Sequence, residues 1–146
     1  MSSKIITMAL NPAPIDNSYI RLIEFLMLSK HRIYELASQH GLTGMQAVTL
    51  CLLDQPKPMN SFGKIYNCDP ANVTGIIDGL ESKQLVTRFE SPTDHRLKMV
   101  RLEPAGRKIQ TQLLHELCDP KGYILGKLNS QEAIQFSKLI AKLLTE

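Results

Sequence analysis

At 146 residues the chain is long enough to bury about two-thirds of the surface it exposes when unfolded, and it reads as a single domain. No apolar run approaches the roughly 20 residues that span a bilayer, and the N-terminus lacks the ordered zones of a secretory signal, so no membrane partner is expected and the expected location is cytoplasmic. The net charge of +3 decides little, and three cysteines, Cys51, Cys68 and Cys118, are too few and too scattered for a disulfide framework; they are expected as reduced thiols packed like small apolar side chains.

Residues 1–14, with Asn11-Pro12-Ala13-Pro14, show no clear period and read as a flexible or extended arm. Asp16 or Asn17 then caps a helix on which Tyr19, Leu22, Ile23, Leu26, Ile33, Leu36 and Ala37 recur at helical spacing, closed by His40-Gly41. Thr43 and Gln46 have the spacing of a capping box, and Val48, Leu50, Leu52 and Leu53 follow in a short buried helix. Pro56 and Pro58 stop it and force an extended link. A second short helix, from about Asn60 to Tyr66, is expected to turn Phe62 and Ile65 inward.

Asp69-Pro70 is a strong helix start, because Asp caps well and Pro at the first helical position needs no N–H. The helix over about 70–83 buries Val73, Ile76, Ile77 and Leu80. Its other face carries Ala71, Asn72, Thr74, Gly75 and Asp78, all small or polar, so another surface can approach it closely. Leu85–Glu90 and Leu97–Leu102 read as two strands joined by the polar turn Ser91-Pro92-Thr93-Asp94-His95-Arg96. Pro104 restarts helix with Ile109, Leu113, Leu114 and Leu117 as its apolar stripe, and Pro120 is expected to kink or break it. Tyr123, Ile124, Leu125 and Leu128 continue the apolar pattern. Asn129 to Glu132 then cap a last helix with a broad apolar face.

Charge is unevenly placed along this order. Between Ser82 and Lys108 seven basic residues oppose three acids, a local excess of +4 in a chain whose whole charge is +3. A basic hairpin following two short helices suits contact with a polyanion. A helix with a small polar face fits a major groove, and an arginine on a charged hairpin tip finds enhanced negative potential in a minor groove.

The run Val73-Thr74-x-x-Ile77-Asp78-x-Leu80-Glu81-x-Lys83-x-Leu85-Val86-x-Arg88 resembles the recognition helix and first wing strand of the MarR family of winged helix-turn-helix regulators. Ser91 to Arg96, with an Asp two residues before an Arg, is similar to that family's wing, Leu102-x-Pro104-x-Gly106 to the start of the next helix, and Leu42-Thr43-x-x-Gln46 to the second helix. Gln84 departs from the pattern: it stands where the family usually has Gly, and a left-handed non-Gly residue costs roughly 1–2 kcal/mol, so this turn is expected to be built differently. Glu103 stands where Thr usually opens the next helix.

The resemblance implies a mainly α (α+β) fold: a winged helix-turn-helix with a two-stranded β-hairpin wing, residues 42–103 forming the DNA-binding lobe and residues 15–40 and 104–146 a helical dimerisation region. It implies a homodimeric repressor of a near-palindromic operator, released by a small aromatic or phenolic effector, with double-stranded DNA as partner. Neither a cofactor nor a metal nor a catalytic residue is expected. Ala71, Asn72, Thr74 and Gly75 are the candidates for the major groove, Asp94, His95 and Arg96 for the wing in the minor groove, and Lys64, Arg88 and Lys98 for phosphate. Asp94 either holds the Arg96 guanidinium or braces the wing. Asp78, an acid beside a phosphate backbone, either repels it or pairs with a wing arginine. Ile20, Leu128, Phe136, Ile140, Leu143 and Leu144 are candidates for the dimer interface, since their helices carry more apolar surface than one small domain covers. The competing readings are a winged helix used only for protein–protein contact and an enzyme, for which no catalytic motif is present.

Overall fold

The computed structural model of the protein describes residues 17–119 and 124–145. The expected N-terminal arm, the Asp16 cap, the Pro120 break and Tyr123 lie outside them. The elements are α1 (Asn17–Gln39), α2 (Gly44–Leu52), β1 (Lys57–Pro58), α3 (Met59–Tyr66), α4 (Pro70–Ser82), β2 (Val86–Glu90), β3 (Lys98–Leu102), α5 (Pro104–Leu117), a 3₁₀ turn (Ile124–Lys127) and α6 (Ser130–Leu144).

The chain divides into two compact units, Met1–His31 and Arg32–Glu146, with the boundary inside α1. In the first, Tyr19, Ile20, Leu22, Ile23, Leu26, Met27 and Leu28 are all exposed. The second holds the hydrophobic core. Leu36 and Ala37 close the end of α1, and Leu50, Leu53, Phe62, Val73, Ile77, Leu80, Val86, Val100 and Leu113 fill the centre. Here α2 packs on α4 and α5, α3 on α4, and α4 on β2. α1 ends as its sequence specifies: Gly41 takes φ +65° and lets the Leu42 N–H reach the Ala37 carbonyl at 2.9 Å.

Local signals account for several starts. Thr43 and Gln46 form the reciprocal capping box of α2, with bonds of 3.2 and 3.0 Å, and Asn129 and Glu132 form that of α6. Pro70 and Pro104 each occupy the first turn of their helix. Asp69 differs from expectation. It takes the N-cap position but its carboxylate makes no capping bond; its main-chain carbonyl accepts the N–H groups of Asn72 and Val73 instead.

The sheet has three strands, in the order β1-β3-β2, all antiparallel. The expected hairpin pairs Val86 with Leu102 and Glu90 with Lys98. The Pro-bounded link, expected only to be extended, adds Lys57 and Pro58 opposite Val100 and Met99. Proline is tolerated there because β1 is an edge strand.

Two inward assignments are corrected by helix geometry. Ile65 is 53% exposed. α3 turns Phe62 and Tyr66 inward, their rings stacked at 5.8 Å, and the Tyr66 hydroxyl meets that of Thr49 at 2.7 Å. Leu114 is 42% exposed, because the buried stripe of α5 runs through Gly106, Ile109, Gln110, Leu113 and Leu117. Gln110, a polar residue in the core, donates to the carbonyls of Leu50 and Leu53 at 2.7 and 3.1 Å, adding to the Leu53 N–H that the Leu50 carbonyl already accepts at the end of α2. Cys118 is exposed rather than packed. Cys51 is half-buried, and burial pushes its thiol up to about 11.

Candidate nucleic-acid interface

α3 and α4 form a helix-turn-helix. The turn is made by Asn67, which takes a left-handed φ of +48°, a conformation Asn tolerates better than most residues. The Cys68 N–H then reaches the Gly63 carbonyl at 3.1 Å. α4 buries Val73, Ile77 and Leu80, and this anchoring leaves Ala71, Asn72, Thr74, Gly75 and Asp78 exposed on the other side. A Cβ added to Gly75 would meet nothing within 4 Å. The Thr74 hydroxyl donates back to the Pro70 carbonyl at 3.0 Å, and the residue stays exposed.

α4 ends in a turn whose geometry the sequence reading placed wrongly. Gln84 adopts φ +58°, a left-handed conformation that favours Gly. Its N–H reaches the Glu81 carbonyl at 2.8 Å and the Leu85 N–H reaches Leu80 at 3.0 Å. The turn is kept and the strain of a Cβ is borne. A close approach holds the far side: a Cβ on Gly106 would lie 1.9 Å from the Leu85 carbonyl oxygen, so α5 starts against the strand backbone itself.

The wing turn is braced from within. The Ser91 N–H bonds Leu97 at 3.0 Å, and the Leu97 N–H bonds Asp94 at 2.9 Å. The Asp94 carboxylate accepts the Arg96 main-chain N–H at 3.0 Å. Of the two roles open to Asp94, the geometry shows bracing. The Arg96 side chain is exposed and forms no ion pair among the described residues. Glu90 lies 2.8 Å from the Lys98 ammonium and 3.4 Å from His95. Lys98, and after it His95, holds the Glu90 carboxyl below the ordinary carboxylate range.

Both helices and the wing border one groove. A groove of about 310 Å³ is lined by Met59, Asn60 and Gly63 of α3, Pro70, Val73 and Thr74 of α4, and Arg96, Leu97 and Lys98 of the wing. Thr74, Arg96 and Lys98 therefore share one surface. Lys64 is exposed on α3. Arg88 is not part of this groove. Its guanidinium pairs with Asp78 and, at 3.2 Å, with Glu81, so the residue expected at phosphate is engaged by carboxylates. The same pair answers the question left open at Asp78.

The remaining candidates lie elsewhere. Leu128, Phe136 and Ile140 line an apolar groove of about 270 Å³ along one side of α6. Leu143 and Leu144 are 74% and 79% exposed. Ile20 lies in the first unit, also exposed.

A short helix pair followed by an antiparallel wing is a winged helix-turn-helix. Residues 42–98 match the profile of the MarR family. The HTH-type transcriptional repressor NicR of Pseudomonas putida is 25% identical over 142 residues, covering 90% of each chain. A mutant of MarR from E. coli, solved in complex with operator DNA, is 26% identical with a TM-score of 0.59, covering 90% of this chain and 99% of that one. A MepR mutant from a multidrug-resistant S. aureus clinical isolate shares the fold, with a TM-score of 0.68 at 22% identity over 90% of this chain and 96% of that one. The family is one of transcriptional regulators, not enzymes. No described helix is long and apolar enough to cross a membrane.

Proposed function

We propose that the protein is a sequence-specific transcriptional regulator that binds duplex DNA as a homodimer and represses from a near-palindromic operator. The observation that carries this reading is the convergence of Thr74, Arg96 and Lys98 on one groove beside the small polar face of α4. Ala71, Asn72, Thr74 and Gly75 enter the major groove. Asn72 suits adenine, and Thr74 offers its methyl to thymine or a lone pair to a base amino group. Arg96 enters the minor groove with Asp94 bracing the turn beneath it, and His95, Lys98 and Lys64 lie along phosphate. None of the four groove residues is cationic, so much of the affinity comes from the wing and the phosphate contacts. NicR, named a transcriptional repressor, and MarR, crystallised with operator DNA, support the same reading.

The uncovered apolar residues of α1 and α6 support the dimer, in which Ile20, Leu128, Phe136, Ile140, Leu143 and Leu144 are covered by the second chain. Dimerisation spaces the two α4 helices about 34–36 Å apart, one turn of B-DNA. A small aromatic or phenolic effector releases the operator by binding the DNA-incompetent shape more tightly.

A gel-shift titration across salt tests the central role. Affinity for duplex falls steeply with ionic strength, because each neutralised phosphate releases counterions. Arg96→Ala weakens binding to a selected operator by about tenfold or more with an unchanged melting temperature. Binding that ignores salt, or wild-type affinity in Arg96→Ala, contradicts the assignment.

A further inference from the structure

Arg88 sits where strand and recognition helix touch. In β2 successive side chains alternate faces, so Arg88 shares the face of Val86, which is buried in the core. That face meets α4. There the Arg88 guanidinium, about a quarter exposed, pairs with the Asp78 carboxylate and lies 3.2 Å from that of Glu81. Glu81 also accepts the Arg88 main-chain N–H at 3.2 Å, so one carboxylate holds both backbone and side chain of the strand. The Arg88 Nε is buried with no acceptor, which leaves the carboxylates as the fixing contacts. Asp78 and Glu81 are themselves 59% and 41% exposed. Asp78 follows Thr74 and Gly75 by one helical turn, on the outward face of α4.

We propose that Arg88 is a positioning residue for duplex binding: it offsets two carboxylates carried on the reading helix, without itself contacting phosphate. This rests on the DNA-binding reading above. Two carboxylates against one guanidinium leave α4 with a net charge of −1 at this spot. Removing the guanidinium doubles that charge within a Debye length of the phosphate backbone. Because exposed ion pairs contribute little to folding, the effect appears in binding and not in stability.

The test uses the full chain and a duplex selected by the wild-type protein from a random-sequence pool. Arg88→Met lowers affinity about tenfold or more. The triple variant Arg88→Met, Asp78→Asn, Glu81→Gln lacks both the guanidinium and the acids it offsets, and it binds within about threefold of wild type. Thermal melting of each variant stays close to wild type; if Arg88→Met loses its fold, the triple variant carries the test alone. A triple variant as weak as Arg88→Met shows that offsetting these acids is not what Arg88 does and overturns the proposal, as does wild-type affinity in a folded Arg88→Met. A wild-type protein that selects no duplex and ignores any duplex at low salt overturns the DNA-binding reading, and this proposal falls with it.

Discussion

The helices α4 and α6 are 13 and 15 residues long, and they leave different chemistry uncovered. α4 buries Val73, Ile77 and Leu80 and turns alanine, asparagine, threonine and glycine outward. α6 has no buried residue at all, and Ile134, Leu139, Leu143 and Leu144 are more than half exposed. A surface that meets a hydrated polyanion keeps its polar groups and stays low, so that donors and acceptors can reach base edges. A surface that meets another protein chain is apolar, because its association is driven by removing that area from water. The outward face of a helix, read for size and polarity, thus points to the partner it serves.

Breaking the α6 side has the largest expected effect. Leu139→Glu combined with Leu143→Glu places two carboxylates on the exposed apolar face of α6, which the proposed dimer covers. This costs about 3 kcal/mol or more of association, over a hundredfold, and should yield a folded monomer in sedimentation equilibrium. An unaltered dimer would remove α6 from the interface. On the α4 side, Gly75→Leu sharpens the contrast. Nothing lies within 4 Å of an added Cβ, and helix propensity improves by about 1 kcal/mol, so melting temperature rises or holds. Operator affinity should fall about tenfold, and a variant that binds normally would show that this face stands away from DNA.

Smaller effects probe the frame that holds α4. Gln84→Gly relieves the left-handed strain at the helix end and raises stability by about 1 kcal/mol in denaturant unfolding, with DNA binding unchanged; a loss of stability would contradict the strained turn. The thiols give the finest test. Cys118 is exposed, while the Cys51 thiol stays protonated to about pH 11, so iodoacetamide at pH 8 labels Cys118 first and Cys51 last. The sign follows from linkage. The Cys51 thiol has an ordinary value of 9.0, which serves for the unfolded chain, and is raised on folding. Its contribution to stability is therefore whole below pH 9 and is lost as pH rises towards 11.

Much of the fold was legible because its signals are local. The Thr43–Gln46 and Asn129–Glu132 boxes, Pro70, Pro104 and Gly41 each act within one helical turn, and each does what its spacing specifies. What escaped depends on residues distant in sequence. Lys57 and Pro58 are a strand only because Val100 and Met99 lie opposite. Gln110 is satisfied in the core only because the carbonyls of Leu50 and Leu53, about sixty positions earlier, lie beside it. The pairing of Arg88 with Asp78 and Glu81 joins residues ten and seven positions apart, brought together only when strand meets helix. Ile65 and Leu114 sit at the margins of their helical stripes, where apolar character alone does not fix burial. Gln84 was misjudged for the opposite reason: the residue is unfavourable, and the surrounding hydrogen bonds impose the conformation regardless.

A photo-crosslinking side chain placed at Gly75 in one purified variant and at Leu139 in another compares the two helices in a single assay. With a selected operator duplex present, the first should capture DNA and the second a second copy of the chain. Capture of protein at position 75 with the duplex left free, or of DNA at position 139, would contradict the assignment of α4 to the duplex.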